Sequence, residues 1–316
     1  MQQDTSRYRN AMLDVDHADD DRFIAAAAEW LIGAASVVAP HLWMRAQQAQ
    51  PFTNPQTWDE PHGAPGAPWG NVHVWNPVRG LAEESAKMAT RPLSPESLNW
   101  LVRELNNRPV EATVSLHVLN SLGLPDEGGE NTIRISLTVD EERPTIAQLQ
   151  MTSSLPLREE SGPESSEASS SCRWAAVVRD VADRVDPTFG HICDDLLNPR
   201  YTGRDTAGGR RGVRRSIRLG REILRGYSWV TVVPRELADS LGGAAALRKK
   251  SAFSEVIELK SGAVWLRAAE AIDGYNEAAM EQVFRALAVV LPKGEPKPNP
   301  GLQRQPRLIW RDAAHA

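Results

Sequence analysis

Thr132-Ile-Arg-Ile-Ser-Leu-Thr-Val139 alternates without a break: Ile133, Ile135, Leu137 and Val139 fall on one side of an extended chain, Thr132, Arg134, Ser136 and Thr138 on the other. A period of two is the strand period, and a polar row opposite an apolar row predicts a sheet with one face toward a core and the other toward water. Two neighbouring stretches repeat the pattern. Val114, Leu116 and Val118 oppose Thr113, Ser115 and His117, and further on Leu149 and Met151 oppose Gln148 and Gln150. Three short strands in succession predict an antiparallel meander packed on helices by one side. The helices stand upstream. Phe23, Ala26, Ala27, Trp30, Leu31, Ala34 and Val38 recur at three- and four-residue steps until Pro40, and Leu98, Leu101, Val102 and Leu105 form a second stripe. For that second helix Ser94 offers its side-chain oxygen to the free amides of the first turn, Pro95 presets the first helical φ, and Asn106, Asn107 and Pro109 end it.

Downstream the order reads helix, strand, Arg-rich segment, strand, helix, hairpin, helix. Trp174, Val177, Val178 and Val181 give the opening helix its stripe, and Tyr227 to Val233 is a β-rich run ended by Pro234. Leu237 and Leu241 lie on the inward face of a short helix that Gly242 and Gly243 stop by adopting positive φ. Phe253 to Leu259 and Ala263 to Ala268 flank Lys260-Ser261-Gly262, a three-residue hairpin loop. Asn276 caps a last helix with Met280, Val283, Phe284, Leu287 and Leu291 in its seam. The fold class expected is α+β, with a mainly antiparallel sheet packed on helices in each half.

The chain has 316 residues, a length that fits two domains of ordinary size. Residues 153–171 are rich in Ser, Glu, Pro and Gly and offer little to a core, a linker composition. The expected division is therefore an N-terminal domain over 1–152, the linker, a C-terminal domain over 172–292 and a Pro-rich tail over 293–316, where Leu308, Ile309 and Trp310 point to docking.

Thirty-six basic against forty-one acidic residues give a net charge of −5, which argues against a whole-protein attraction to nucleic acid. Cys172 and Cys193 have no spacing for a zinc site or a disulfide framework, so both are expected as reduced thiols. The most apolar stretch, residues 23–39, is shorter than a membrane span and carries Glu29, and no basic segment precedes it directly, so a cytoplasmic location is expected. The phosphate-loop, dinucleotide-turn, His-Glu-x-x-His and Gly-x-Ser-x-Gly signatures are missing. No cofactor, metal or catalytic residue is implied, and a dispersed active site stays open.

Several clusters nevertheless carry chemistry. Asp14, Asp16, His17, Asp19, Asp20 and Asp21 offer cation ligands, although a solvated tail whose last acids favour the next helix N-terminus explains them as well. Nine arginines lie between Arg200 and Arg225, opposed locally by Asp205 and Glu222; they suit an acidic protein partner, a solvated face or phosphate recognition. His73 and His117 fall in strands, the latter beside Arg134 and Gln148. Asp194 and Asp195, with His191, could do acid-base work or serve in capping and ion pairing. Ten tryptophans are unusual where aromatics make up 6%. Trp43, Trp58, Trp69 and Trp75 flank a Pro- and Gly-rich loop suited either to protein contact or to covering a domain edge.

Gly226-Tyr-Ser-Trp-Val-Thr-Val-Val-Pro-Arg-Glu-Leu-Ala-Asp-Ser-Leu-Gly-Gly243, followed by Ala252-Phe-Ser-Glu-Val-Ile-Glu-Leu259 and Gly262-Ala-Val-Trp-Leu266, resembles the C-terminal part of bacterial immunity proteins directed against polymorphic or type VI secretion toxins. The resemblance implies an aromatic strand, a short helix ending in Leu-Gly-Gly, a hairpin and a final helix. It also implies a non-catalytic protein that occludes a cognate toxin through a shape- and charge-matched surface. The partner contacts expected on this basis are Arg200, Arg214, Arg218, Tyr227, Trp229 and Trp69. The alternatives are an enzyme with a dispersed site around Asp194 and Asp195, and a phosphate or nucleic-acid binder acting through the arginines.

Overall fold

The structure is a computed structural model that describes residues 8–18, 21–49, 60–76, 87–125, 131–156, 159–160, 162, 166–194, 213–295, 308–309 and 311–316. In chain order these form β1 (Arg9–Val15), α1 (Asp21–Val38), α2 (Pro40–Gln48), β2 (Pro68–Asn76), β3 (Lys87–Pro92), α3 (Pro95–Leu105), β4 (Glu111–Val118), β5 (Thr132–Val139), β6 (Ala147–Ser153), α4 (Glu167–Ala182), β7 (Pro187–Cys193), α5 (Val213–Arg218), β8 (Val230–Val233), α6 (Arg235–Ser240), α7 (Gly243–Arg248), β9 (Glu255–Glu258), β10 (Val264–Arg267) and α8 (Glu277–Leu287). Short 3-10 turns lie at Ile272–Gly274, Ala288–Val290 and Ala313–His315. The class is α+β. The chain divides into two compact units, one made of Met1–Tyr8 and Asp19–Arg173, the other of Arg9–Ala18 and Trp174–Ala316.

In the first unit five strands run in the order β3-β2-β4-β5-β6, each antiparallel to its neighbour. The register places Val72, Val114, Ile135 and Met151 across one apolar row and Asn71, Ser115, Arg134 and Thr152 across the polar row beside it. The apolar row is buried together with Phe23, Trp30, Leu31, Trp100 and Leu101 of α1 and α3. Trp30 Nε1 also donates to the Gln150 carbonyl at 3.3 Å, so the stripe of α1 meets the meander through a polar contact as well. The start of α3 is a full capping box. Ser94 Oγ accepts from the Ser97 amide at 3.1 Å, and Ser97 Oγ accepts from the Ser94 amide at 2.8 Å. Helix α1 stops before Pro40 as expected, but Pro40 then opens α2, where a missing amide costs nothing, at an angle of 99° to α1.

In the second unit the order is β1-β7-β8-β10-β9, again antiparallel throughout. Every residue of β1, β7 and β8 is buried, so these strands are covered on both faces. Gly190 makes the close approach possible: a Cβ there would stand 2.6 Å from Leu13 Cδ2 and 2.9 Å from Val232 Cγ2. The expected punctuation is present. Gly242 and Gly243 have φ of 87° and 73°, Gly262 has φ of 84°, the Leu259 amide donates to the Ala263 carbonyl at 2.8 Å to close the hairpin, and Asn276 Oδ1 accepts from the Ala279 amide at 3.1 Å.

Three expectations are corrected. The polar row of the meander does not face water along its length, because Thr113, Ser115, Thr132, Ser136, Gln148 and Gln150 are all buried, and among the described residues of that row Arg134 is exposed. The stretch 153–171 is not an open linker where it is described. Ser153, Ser154, Glu159, Glu160, Ser170 and Ser171 are buried, and α4 starts at Glu167. Glu160 accepts from Ser153 Oγ at 2.7 Å and from Ser170 Oγ at 2.8 Å, and Glu159 pairs with Arg45. Composition misleads there because buried polar groups are tolerated once they hydrogen-bond one another. Finally, residues 9–15 are not part of a solvated tail; they form β1, which pairs with β7 from Asn10↔Cys193 to Asp14↔Phe189. Among the described residues no single helix is long and apolar enough to cross a membrane.

Candidate functional site

The acidic and the Arg-rich clusters of the sequence meet in the second unit. Alternation along β1 puts Asn10, Met12 and Asp14 on one face, and the β1–β7 register sets them against Cys193, His191 and Phe189. Asp14 is fully buried there, and the side chain that reaches it is Arg225, from the end of the Arg-rich segment. The Arg225 guanidinium also lies 5.6 Å from the centre of the Phe189 ring. Thr188 Oγ1 donates to the Asp14 carbonyl at 3.3 Å. A buried charge of either sign is costly unless paired, and here each supplies the other's partner.

His191 sits on the same face. Its Nε2 lies 3.5 Å from Asn10 Nδ2, and its ring is 5.5 Å from that of Phe189. Burial, with the nearby Arg225 charge adding to it, pushes its pKa down to about 3. The imidazole is therefore neutral at ordinary pH and reaches a polar neighbour rather than solvent.

A second arginine fixes the rim. Arg221 donates to Asp16 through Nε at 2.6 Å and Nη2 at 2.8 Å, to Asp186 through Nη2 at 2.8 Å, and to Glu236 through Nη1 at 3.1 Å. Burial opposes ionisation of Asp16, but the Arg221 hydrogen bonds and charge outweigh it and hold its pKa below the usual carboxylate value. The hydrogen bond and charge of Asp16 in turn raise the Arg221 pKa. Ligand atoms of Asp16, His17 and Asp186 lie within 4.8 Å of one another, which is metal-ligand spacing. Both Asp16 oxygens and one of Asp186 are already engaged by Arg221, so the arrangement works as an ion-pair hub.

The expected site residues are dispersed. Arg200 and Asp195 lie outside the described residues, as do Trp58 and Trp310, and Arg214 is described only as part of the α5 backbone. Arg218 and Asp194 are half-buried. Tyr227, Trp229 and Trp69, expected as contacts, are instead buried core residues whose rings are taken up internally. Tyr227 Oη donates to the Ile309 carbonyl at 2.7 Å and Trp229 Nε1 to the Ala269 carbonyl at 2.7 Å. The Trp69 ring stands edge-on to His62 at 4.6 Å and tilted to His117 at 5.3 Å. An indole or phenol brings a large apolar area as well as a polar tip, and for Tyr227 and Trp229 burial with the tip satisfied uses both.

His73 and His117 lie in β2 and β4 as expected, and the residue set directly across from His117 is Thr132. His117 lies 2.8 Å from Thr132 Oγ1, while Arg134 donates to Glu111 at 2.8 Å. His73 Nδ1 is 2.9 Å from Thr90 Oγ1; burial lowers its pKa, Glu111 opposing and Arg134 assisting. Sequence reasoning noticed the two charge clusters but missed their pairing, together with Asp186, Glu236 and Glu160. The available signal was the alternation Asn10, Met12, Asp14, a strand pattern that carries a polar residue on an otherwise buried face.

No protein-family model matches the chain, and no curated protein matches it. Among solved structures, a T6SS protein of Pseudomonas aeruginosa superposes with a TM-score of 0.49 at 12% identity, over 98% of this chain and 81% of that one. At such values nothing about activity or partner passes from one chain to the other.

Proposed function

We propose that this chain is a non-catalytic, cytoplasmic protein-binding protein that occludes a cognate bacterial toxin, as its resemblance to immunity proteins implies. The observation that carries the reading is the element order from Gly226 to Leu287. Strand β8 follows Trp229, α6 closes on Leu241-Gly242-Gly243, β9 and β10 form the hairpin, and α8 ends the run, the succession which the resemblance implies. His191, the histidine of the enzyme alternative, is buried beside Asn10 rather than open to solvent. Arg200, Arg214 and Arg218 remain the contacts on this reading, and they suit an acidic patch on the partner.

Co-expression with the toxin-like product encoded next to this gene tests the proposal. A stable complex and restored growth are expected, with binding weakened by Arg214→Glu plus Arg218→Glu and by added salt. No complex and no rescue would overturn it.

A further inference from the structure

The chain that leaves α5 is pinned to the second unit at three successive points. Gly220 lies against β7, where a Cβ would stand 3.1 Å from both Thr188 Cβ and the Thr188 carbonyl oxygen. One residue on, Arg221 spreads its guanidinium over Asp16, Asp186 and Glu236, which belong to the residue after β1, the residue before β7 and α6. Four residues further, Arg225 is buried against Asp14. The turn is also closed locally: the Gly220 amide donates to the Ile217 carbonyl at 3.1 Å, and the Glu222 and Ile223 amides donate to the Leu219 carbonyl at 2.9 Å each. Just beyond it the Leu224 amide donates to the Val290 carbonyl at 2.9 Å, between two buried residues.

The two arginines of this turn differ in what their loss would do. Removing Arg225 strands a buried carboxylate, whereas Arg221 and its three carboxylates are part-exposed, so water can solvate what the loss of Arg221 leaves behind. A guanidinium presents five donors in a rigid planar fork, which lets this one side chain tie three separate elements together. Helix α5 has six residues, too few to persist without an anchor. We propose that Arg221 is a positioning residue for the partner-contacting segment: it makes no contact with the partner itself, and holds the C-terminal end of α5 so that Arg218, three residues upstream, meets the partner's acidic patch. The positioning role rests on the protein-binding reading; the anchoring of the turn by Arg221 does not.

Amide hydrogen exchange and binding, measured on the same full-length variants, test it. In Arg221→Gln the Glu222 and Ile223 amides should exchange about tenfold faster than in the wild type, while the Leu224 amide keeps its rate. Affinity for the toxin-like product encoded next to this gene should fall about tenfold with its salt dependence unchanged, because the contacting charges are all still present. Arg218→Gln should instead reduce the salt dependence. Arg221→Lys, which keeps the charge and loses the fork, should fall between Arg221→Gln and the wild type in both readouts. Unchanged exchange at Glu222 and Ile223, or acceleration in step with Leu224, would overturn the anchor. Faster exchange with unchanged affinity, or a salt dependence reduced as in Arg218→Gln, would overturn the positioning role. A wild-type chain that binds nothing would remove the protein-binding reading and the positioning role with it, and the exchange rates would still decide the anchor.

Discussion

The strands of the two units handle polar residues in opposite ways. In the first unit the polar row of β2, β4, β5 and β6 carries hydroxyls and amides, and its ion pair, Arg134 with Glu111, stands at the surface. In the second unit β1, β7 and β8 are covered on both faces, and the ion pair, Asp14 with Arg225, is inside. Small neutral polar groups in the first unit are buried by satisfying neighbours on adjacent strands, whereas the Asp14 carboxylate is buried against a cation brought from elsewhere. For Asp14 that cation is 211 residues away along the chain. The meander of the first unit is therefore a product of local alternation, and the buried strands of the second unit of a long-range charge match.

The sharpest way to break this contrast is to remove one half of the inner pair. Asp14→Ala should destabilise the second unit by about 3–5 kcal/mol in denaturant unfolding, because Arg225 is left buried without its carboxylate. Asp14→Leu combined with Arg225→Met should cost far less, and equal losses for single and double variants would show that packing, not charge, matters there. His191 sharpens the same point through pH. Its folded pKa of about 3 lies below the value of about 6.5 expected when unfolded, so the unfolded chain takes up the proton first. Stability is then complete above pH 6.5 or so and falls by about 1.4 kcal/mol per unit as pH drops toward the folded pKa. His191→Asn should flatten that slope in unfolding midpoints measured across the window, and an unchanged slope would contradict a buried neutral imidazole.

Smaller effects belong to the first unit. Ser94→Ala removes one half of the capping box of α3 and should cost about 1 kcal/mol by thermal or denaturant unfolding. Arg134→Ala breaks only the exposed pair with Glu111, so a loss below about 1 kcal/mol that shrinks in salt is expected. A loss as large as that of Asp14→Ala would erase the distinction between the two units.

The protein-binding proposal draws on the second unit, where folding has already used some of the groups a sequence reader would assign to a partner. Arg221 and Arg225 are committed to Asp16 and Asp14, and Tyr227 and Trp229 to backbone carbonyls. On the reading proposed above the contacts are Arg200, Arg214 and Arg218.

The strands β4 to β6, the cap of α3, the Lys260-Ser261-Gly262 turn and the Asn276 cap were determined by the sequence by itself, since each depends on residues two to four apart. The tertiary structure alone decided that 9–15 is a strand of the second unit, that Glu160 is buried between Ser153 and Ser170, and that Asp14 faces Arg225. The physical reason is range. Periodicity and capping are local properties of the backbone, whereas the burial of a charge or a carboxyl depends on which distant segment the fold brings within hydrogen-bonding distance.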